Sequence, residues 1–351
     1  MSASRSTIAI CCLAAALALR CAGDDPAPFV PVPNAEPVLL AVNSRGETLS
    51  LVRLATHDVT PNALPLGDAP NDIAVDASGT LAAVVNSLSN SLWFVALTET
   101  LRVAGEIDFG RGASPYAVEF DGAGGAFVSL HLTGEVARVD VASRSVVATT
   151  AVGRTPEGIL IAGAFALVTI ANYTVDNGSV VRFGPGAVAV LDAATGALLR
   201  TVAVGVNPQA AALAPDGRIH VVCTGNYGNE SPPSAGIVYV LDAGASSVVD
   251  SLPLGGSPAA IAITASGKAY VAGDAGGLLA YDALTLEPIA PLGDPLIPLG
   301  GFFDLLHDDA ARRLYLANFT EDLIFVLDSE ADTIVTAYPA GDGPVSIALR
   351  R

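Results

Sequence analysis

The side chains best suited to chemistry in this chain collect in two long segments rich in turn-forming residues. One is Tyr173-Thr-Val-Asp-Asn-Gly-Ser-Val-Val-Arg-Phe-Gly-Pro-Gly186, and the other is Tyr227-Gly-Asn-Glu-Ser-Pro-Pro-Ser-Ala-Gly236. Together they offer two phenols, two carboxylates, a guanidinium and a carboxamide: Tyr173, Asp176, Arg182, Tyr227, Asn229 and Glu230. Such a set suits hydrogen bonding and ion pairing to a polar ligand or a protein surface. Loops of this length usually carry a function or are disordered, and a rigid scaffold is what makes them useful. The plain alternative is a pair of solvated decorations.

Candidates for catalysis are sparse. His131 stands where most comparable segments have asparagine, and its imidazole would titrate near neutrality as an acid–base group; Glu230 is a second candidate. There is neither a Gly-x-Ser-x-Gly elbow nor a Ser/His/Asp set. Asp176, Glu230 and Asp274 fall in equivalent loops, as do Glu321 and Asp322, and they are hard oxygen ligands of the kind Ca²⁺ takes. Their spacing is not that of an EF-hand, so acidic, solvated loops are the simpler reading. His57, His131, His220 and His307 are scattered, and no Cys-x-x-Cys-His occurs, which argues against zinc, copper or haem. Gly122-Ala-Gly-Gly125 opens no helix and is not a phosphate loop. The chain is expected to need no cofactor.

These loops must hang on some framework, and a repeat supplies it. The stretch Gly256 to Asp274 reads as a leading proline, a short apolar strand, a tight turn at Gly267 and a second apolar strand. Leading prolines recur at Pro70, Pro115, Pro156, Pro208, Pro258 and Pro344, separated by 41 to 52 residues and finally by 86, twice 43. The missing mark falls at Gly301-Phe-Phe-Asp304. Second strands tend to end in Asn (Asn43, Asn86, Asn172, Asn226, Asn318), with His131 and Gly273 interrupting the series. Third strands close on Asp (Asp140, Asp192, Asp242, Asp282, Asp328). Both sets read as turn formers. A fourth β-rich run leads into the next repeat. A period in the forties with several short strands is the mark of propeller blades.

Composition agrees. Hydrophobic residues are 51% and charged residues 15% of 351, while 35 Gly and 23 Pro cut the apolar runs into pieces the length of buried strands. Aromatics, at 6%, are too few for the girdles of a membrane barrel. A net charge of −18 repels nucleic acid and anionic lipid headgroups, so neither is expected as a partner.

Met1 to Leu19 has a basic n-region at Arg5 and the apolar run Ile8 to Leu19, too short to span a bilayer, and reads as a signal peptide. Ala18-Leu19-Arg20-Cys21 resembles a bacterial lipobox, with Arg20 where a small residue is usual. The resemblance implies lipidation of Cys21, with Ala22 not retaining the protein at the inner membrane; cleavage without lipidation would release a secreted protein. Cys223 is then the one cysteine of the folded part, read as a small buried hydrophobe.

The two ends complete the ring. Val38-Leu-Leu-Ala-Val-Asn43 opens on a second strand, and Gly343-Pro-Val-Ser-Ile-Ala-Leu349 is a first strand with nothing after it. Joined, they make one blade and leave no open end. The organisation is thus residues 1–20 signal peptide, 21–37 Pro-rich tether, and 38–350 an all-β, seven-bladed β-propeller. Its blades are 38–66 plus 342–350, 67–110, 111–153, 154–205, 206–255, 256–300 and 301–341.

Phe325-Val-Leu-Asp328, Tyr239-Val-Leu-Asp242 and Leu314-Tyr-Leu-Ala-Asn318 resemble the blade motifs of YVTN/YncE-type seven-bladed propellers, over about residues 38–350. That group overlaps in sequence with lactonase-type propellers. The expectation is a monomeric, exported, cell-envelope propeller, lipid-anchored and noncatalytic, that binds a protein or small molecule on the loop face of blades 4 and 5. A lactonase-like hydrolase working at the channel mouth is the alternative, and a quinone-bearing dehydrogenase subunit a third reading.

Overall fold

The structure is a computed structural model that describes residues 30–32, 36–176, 179–226 and 234–351. Every regular element among the described residues is a strand. Seven antiparallel sheets carry the chain, six of them four-stranded and each folded as consecutive hairpins. The exception in order is the blade made from both termini. There Pro344–Arg350 pairs with Val38–Asn43, residue for residue from Val38↔Arg350 to Val42↔Ser346, ahead of Thr48–Arg53 and Asp58–Pro65. The seven-bladed ring and its closure by the C-terminal strand are therefore as the sequence implies. We number the blades from this one.

In each blade the strand after the leading proline lies innermost. These seven strands are Pro344–Arg350, Pro70–Val75, Pro115–Phe120, Pro156–Ala162, Pro208–Leu213, Ser257–Ile263 and Phe302–Asp308, and each touches its two neighbours around a closed circle. Second and third strands are buried on both faces, as in Val38–Asn43 and Gly125–Leu130, and pack blade against blade. That explains their near-continuous Val, Leu and Ala runs: a strand covered on both sides has no polar face to alternate with. Fourth strands form the outer rim. Several expose adjacent apolar pairs there, Val146–Val147, Leu198–Leu199, Val248–Val249 and Ile334–Val335.

The third-strand aspartates are turn formers as expected. Asp242 accepts the backbone N–H groups of Gly244, Ser246 and Ser247, and Asp140, Asp192, Asp282 and Asp328 do likewise in their own turns. The asparagines combine turn forming with a longer reach: Asn318 accepts the N–H groups of Thr320 and Glu321 in its own turn, and Asn172 takes a left-handed φ of 54°. Asn43 and Asn86 are fully buried and accept the N–H of a glycine in the segment that crosses between blades, Gly341 and Gly67 respectively (both 3.1 Å). Asn318 donates to the Gly300 carbonyl (2.9 Å) in the same way. They fasten crossovers, a long-range job that local spacing does not reveal. Gly273 breaks the series because a Cβ there would run into the Ser257 carbonyl.

Blade 6 differs from the expected four strands. It has three, and Glu287-Pro-Ile-Ala-Pro-Leu-Gly-Asp-Pro-Leu-Ile-Pro298 replaces the outer one, bridging to the sheet at Leu278↔Ile297 and Tyr281↔Pro288 and burying Ile297 against it. Four prolines without N–H groups cannot sustain a ladder.

Closure has a measurable consequence. Truncation after Asp342 bares the edge of Val38–Asn43 and removes Arg350, a buried arginine whose Nη1 donates to the Leu97 carbonyl (2.8 Å). Thermal unfolding of this variant, followed by circular dichroism, is expected to lose its single transition or to fall by at least about 10 °C.

Candidate functional site

All seven inner strands are interrupted at the same place. One residue just after the leading position has no partner on the second strand, so the pairing slips from Pro70↔Asn86 to Asp72↔Val85, and equivalently in the other blades. A bulge of this kind re-aims side chains. Here the residue following each leading position lines a central cavity of about 410 Å³: Asn71, Tyr116, Glu157, Gln209, Ala259, Phe303 and Val345, one from each blade. The ring they form is two-sided. Blades 2 to 5 present polar groups, and blades 6, 7 and 1 present apolar ones.

The bulges are held by hydroxyls from the preceding blade. Ser87 Oγ donates to the Pro115 carbonyl, Ser129 Oγ to Glu157 and Thr224 Oγ1 to Pro258, each at 2.7 Å, and Thr169 Oγ1 to Gln209 at 3.1 Å. Each therefore satisfies a carbonyl that the slipped ladder leaves unpaired, and links one blade to the next.

Five carboxylates line the cavity: Asp72, Glu119, Glu157, Asp274 and Asp304. Two of them are also fasteners. Asp72 Oδ2 accepts the Val118 N–H (2.9 Å) of the next blade, and its Oδ1 accepts the Ser346 hydroxyl (2.7 Å). Asp304 Oδ2 accepts the Ile347 N–H (2.8 Å). Glu119 receives a hydrogen bond from its neighbour Phe120. Protein surrounds Asp72, Glu119 and Asp304 closely while the channel still wets them. Desolvation accordingly raises all three, with Asp72 adding to the rise at Glu119 and at Asp304, and channel water limits how far.

Glu157 is different in being fully enclosed, 1% exposed. Burial pushes its carboxyl up to about 8, against hydrogen bonds from Tyr173 and Gln209 that pull it down. Its Oε2 has no hydrogen-bond partner among the described residues. Beside it, His131 Nδ1 stands 3.9 Å from Oε1 and His131 Nε2 lies 3.1 Å from the Tyr173 hydroxyl. The His131 ring stacks on Tyr116 (5.2 Å between centroids, 22° between planes). Burial lowers this imidazole to about 4, so it is neutral at physiological pH.

Tyr173 and His131 come together at the cavity wall, His131 as a buried, packed side chain and not as part of an open loop. Tyr173 begins the hairpin Tyr173–Asp176 with Ser179–Phe183, in which Arg182 pairs opposite Thr174 and is exposed. Asp176 contributes backbone to that hairpin. Asp274 is an exposed residue at the cavity rim. Tyr227, Asn229, Glu230 and Cys21 lie outside the described residues. Among the described residues no group of three His, Cys, Asp or Glu side chains could hold a metal ion. Cys223 is buried, its thiol pushed up to about 12 and hence inert.

Sequence reasoning missed Asp72, Glu119, Glu157 and Asp304. The available signal was position: Asn71-Asp72, Pro156-Glu157 and Phe303-Asp304 put acids into first strands that should have been purely apolar.

No family model matches the chain, and no curated protein matches it. Among solved structures 1511 chains match. One, described as the crystal structure of a functionally unknown protein from Desulfotomaculum acetoxidans DSM 771, aligns with a TM-score of 0.69 at 14% identity, covering 89% of this chain and 98% of that chain. At that identity the likeness is one of fold. The class defined is a seven-bladed β-propeller, and its distinguishing feature is the two-sided ring of the channel.

The enclosed carboxyl makes stability depend on pH. Folded Glu157 keeps its proton up to about 8, while the unfolded group loses it near its ordinary value of 4.5, so the native state binds the extra proton in between. Stability contributed by Glu157 is full below that window and is lost as pH rises through it, at up to about 1 kcal/mol per pH unit. Glu157→Gln mimics the protonated form. Denaturant titrations from about pH 5 to 8 should show a flatter profile in the variant, with the variant gaining on the wild type at the alkaline end.

Proposed function

We propose that this protein is an exported, noncatalytic binding propeller of the YVTN/YncE type, anchored in the cell envelope through lipidated Cys21. Its ligand is taken up on the loop face of blades 4 and 5, beside the hairpin that begins at Tyr173. The observation that carries the reading is the ring of bulge residues, polar on blades 2 to 5 and apolar on blades 6, 7 and 1, around a cavity of about 410 Å³. Concave sites of roughly 300–1,000 Å³ with a few convergent polar groups on an apolar wall are what small ligands occupy. The hairpin that begins at Tyr173 sits at the polar side of that ring, and Tyr173 is shared between hairpin and cavity. The N-terminal sequence supports export, since Ile8 to Leu19 has signal-peptide character and Cys21 follows it after Arg20.

The electrostatics of the wall are compatible with a binding role. His131 is neutral and enclosed, and Glu157 holds its proton at neutral pH, so each is suited to orient and hydrogen-bond.

Native mass spectrometry of protein isolated from the envelope fraction tests the role. The wild type should carry a bound small molecule; a variant with 174–182 replaced by two glycines should lose it while its melting midpoint shifts by less than about 3 °C. An empty wild type would refute the reading. Cys21→Ser should move the protein from the membrane to the soluble fraction.

A further inference from the structure

We infer that the channel takes a small organic cation, an ammonium group on an apolar body, with Glu157 and Glu119 facing the charge and Phe303 and Val345 facing the body. This rests on the binding role proposed above and assigns its ligand class.

The sign of the charge comes from the wall. Among the described residues lining the cavity there are five carboxylates and not one lysine, arginine or histidine. A wall of one sign in a narrow, low-dielectric recess concentrates the opposite charge. Structural fastening accounts for Asp72 and Asp304, whose oxygens hold Val118, Ile347 and Ser346 across blade boundaries. It does not account for the two glutamates. Glu157 is enclosed, with its side chain 2% exposed, and its Oε2 has no partner among the described residues. A buried oxygen of that kind is costly unless something supplies a donor. Glu119, one blade away, draws the N–H of Phe120.

An organic cation matches the rest of the site. The apolar half of the ring offers Phe303, whose ring packs on Phe319 (4.9 Å between centroids), together with Ala259 and Val345. Tyr116 and Tyr173 add aromatic surface on the polar half, where a cation gains from ring faces as well as from carboxylates.

The groups facing the two glutamates determine the response to pH. Glu157 meets neutral His131 from blade 3, the Tyr173 phenol from the hairpin and the uncharged Gln209 from blade 5. Glu119 meets Asp72 from blade 2, and Asp274 and Asp304 stand elsewhere on the wall. Burial holds the enclosed Glu157 up to about 8 in the free protein, so it keeps its proton at neutral pH, and raises Glu119 less far because the channel wets it. An arriving ammonium favours their ionised forms and therefore displaces protons. Affinity must rise with pH up to that range and then level off.

Calorimetric titration of the full chain with benzylamine, its neutral counterpart benzyl alcohol, and calcium chloride tests this. Benzylamine should bind with release of about one proton, read from two buffers of different ionisation enthalpy, and up to about tenfold more tightly per pH unit between 6 and 8. Glu157→Gln should abolish most of the proton release and weaken binding at least about tenfold. Glu119→Gln should weaken it as well, and with the wild-type pH profile it carries the test if Glu157→Gln does not fold. Equal binding of benzyl alcohol, preference for Ca²⁺, absence of proton release, or no binding up to about 10 mM benzylamine by folded protein would each overturn the inference. If mass spectrometry nevertheless finds a neutral molecule lost with the hairpin, the binding role stands and only the assignment of charge fails.

Discussion

The pairing of Val38–Asn43 with Pro344–Arg350 governs everything else in the molecule. A ring of sheets has no stable open form, because an unclosed ring leaves two blade faces as apolar as the packed ones, exposed to water. Six hydrogen-bonded residues on each side, none of them near the other in sequence, convert a linear array into a circle. The cost lies in the order of events: the last strand made must find the first, so most of the loop-closure entropy is met before the final contacts form.

Closure also creates the channel, and the channel creates the electrostatics. Seven inner strands held edge to edge around an axis would present a tube of apolar side chains if their ladders ran uninterrupted. The bulge in each strand rotates one residue out of that register, and in blades 2 to 5 the rotated residue is polar. The hydroxyls of Ser87, Ser129, Thr169 and Thr224 make the arrangement possible by answering the carbonyls the slip leaves behind. A single irregularity, repeated, thus serves both cohesion between blades and the chemistry of the mouth.

The architecture could be read from the chain because it rests on local patterns. Leading prolines, glycine turns and Asp at the end of third strands recur at short, countable distances, and each reports a backbone requirement of its own neighbourhood. The site was far less legible. Glu157 matters through His131, Tyr173 and Gln209, which lie on three other segments, and nothing in Pro156-Glu157-Gly158 announces that the carboxyl will be enclosed. The asparagines show the same limit from the structural side: Asn43 and Asn86 were legible as recurrent, and their partners Gly341 and Gly67 were not. His131 could be singled out as an exception in the asparagine series, but its neutrality follows from burial, which no spacing encodes.

The outer rim has a bearing on how copies of this protein behave in company. Fourth strands leave one row of N–H and C=O groups unpaired, and in blades 3, 4, 5 and 7 that row is flanked by adjacent exposed valines, leucines or isoleucine. Such an edge is a template for cross-strand stacking between molecules. Blade 6 escapes by substituting prolines, and Pro61 interrupts the outer strand of blade 1. What separates the molecules is mutual repulsion, since each carries a charge of −18. Colloidal stability here is therefore a property of ionic strength as much as of sequence, and concentrated salt would thin the repulsion between neighbouring rims.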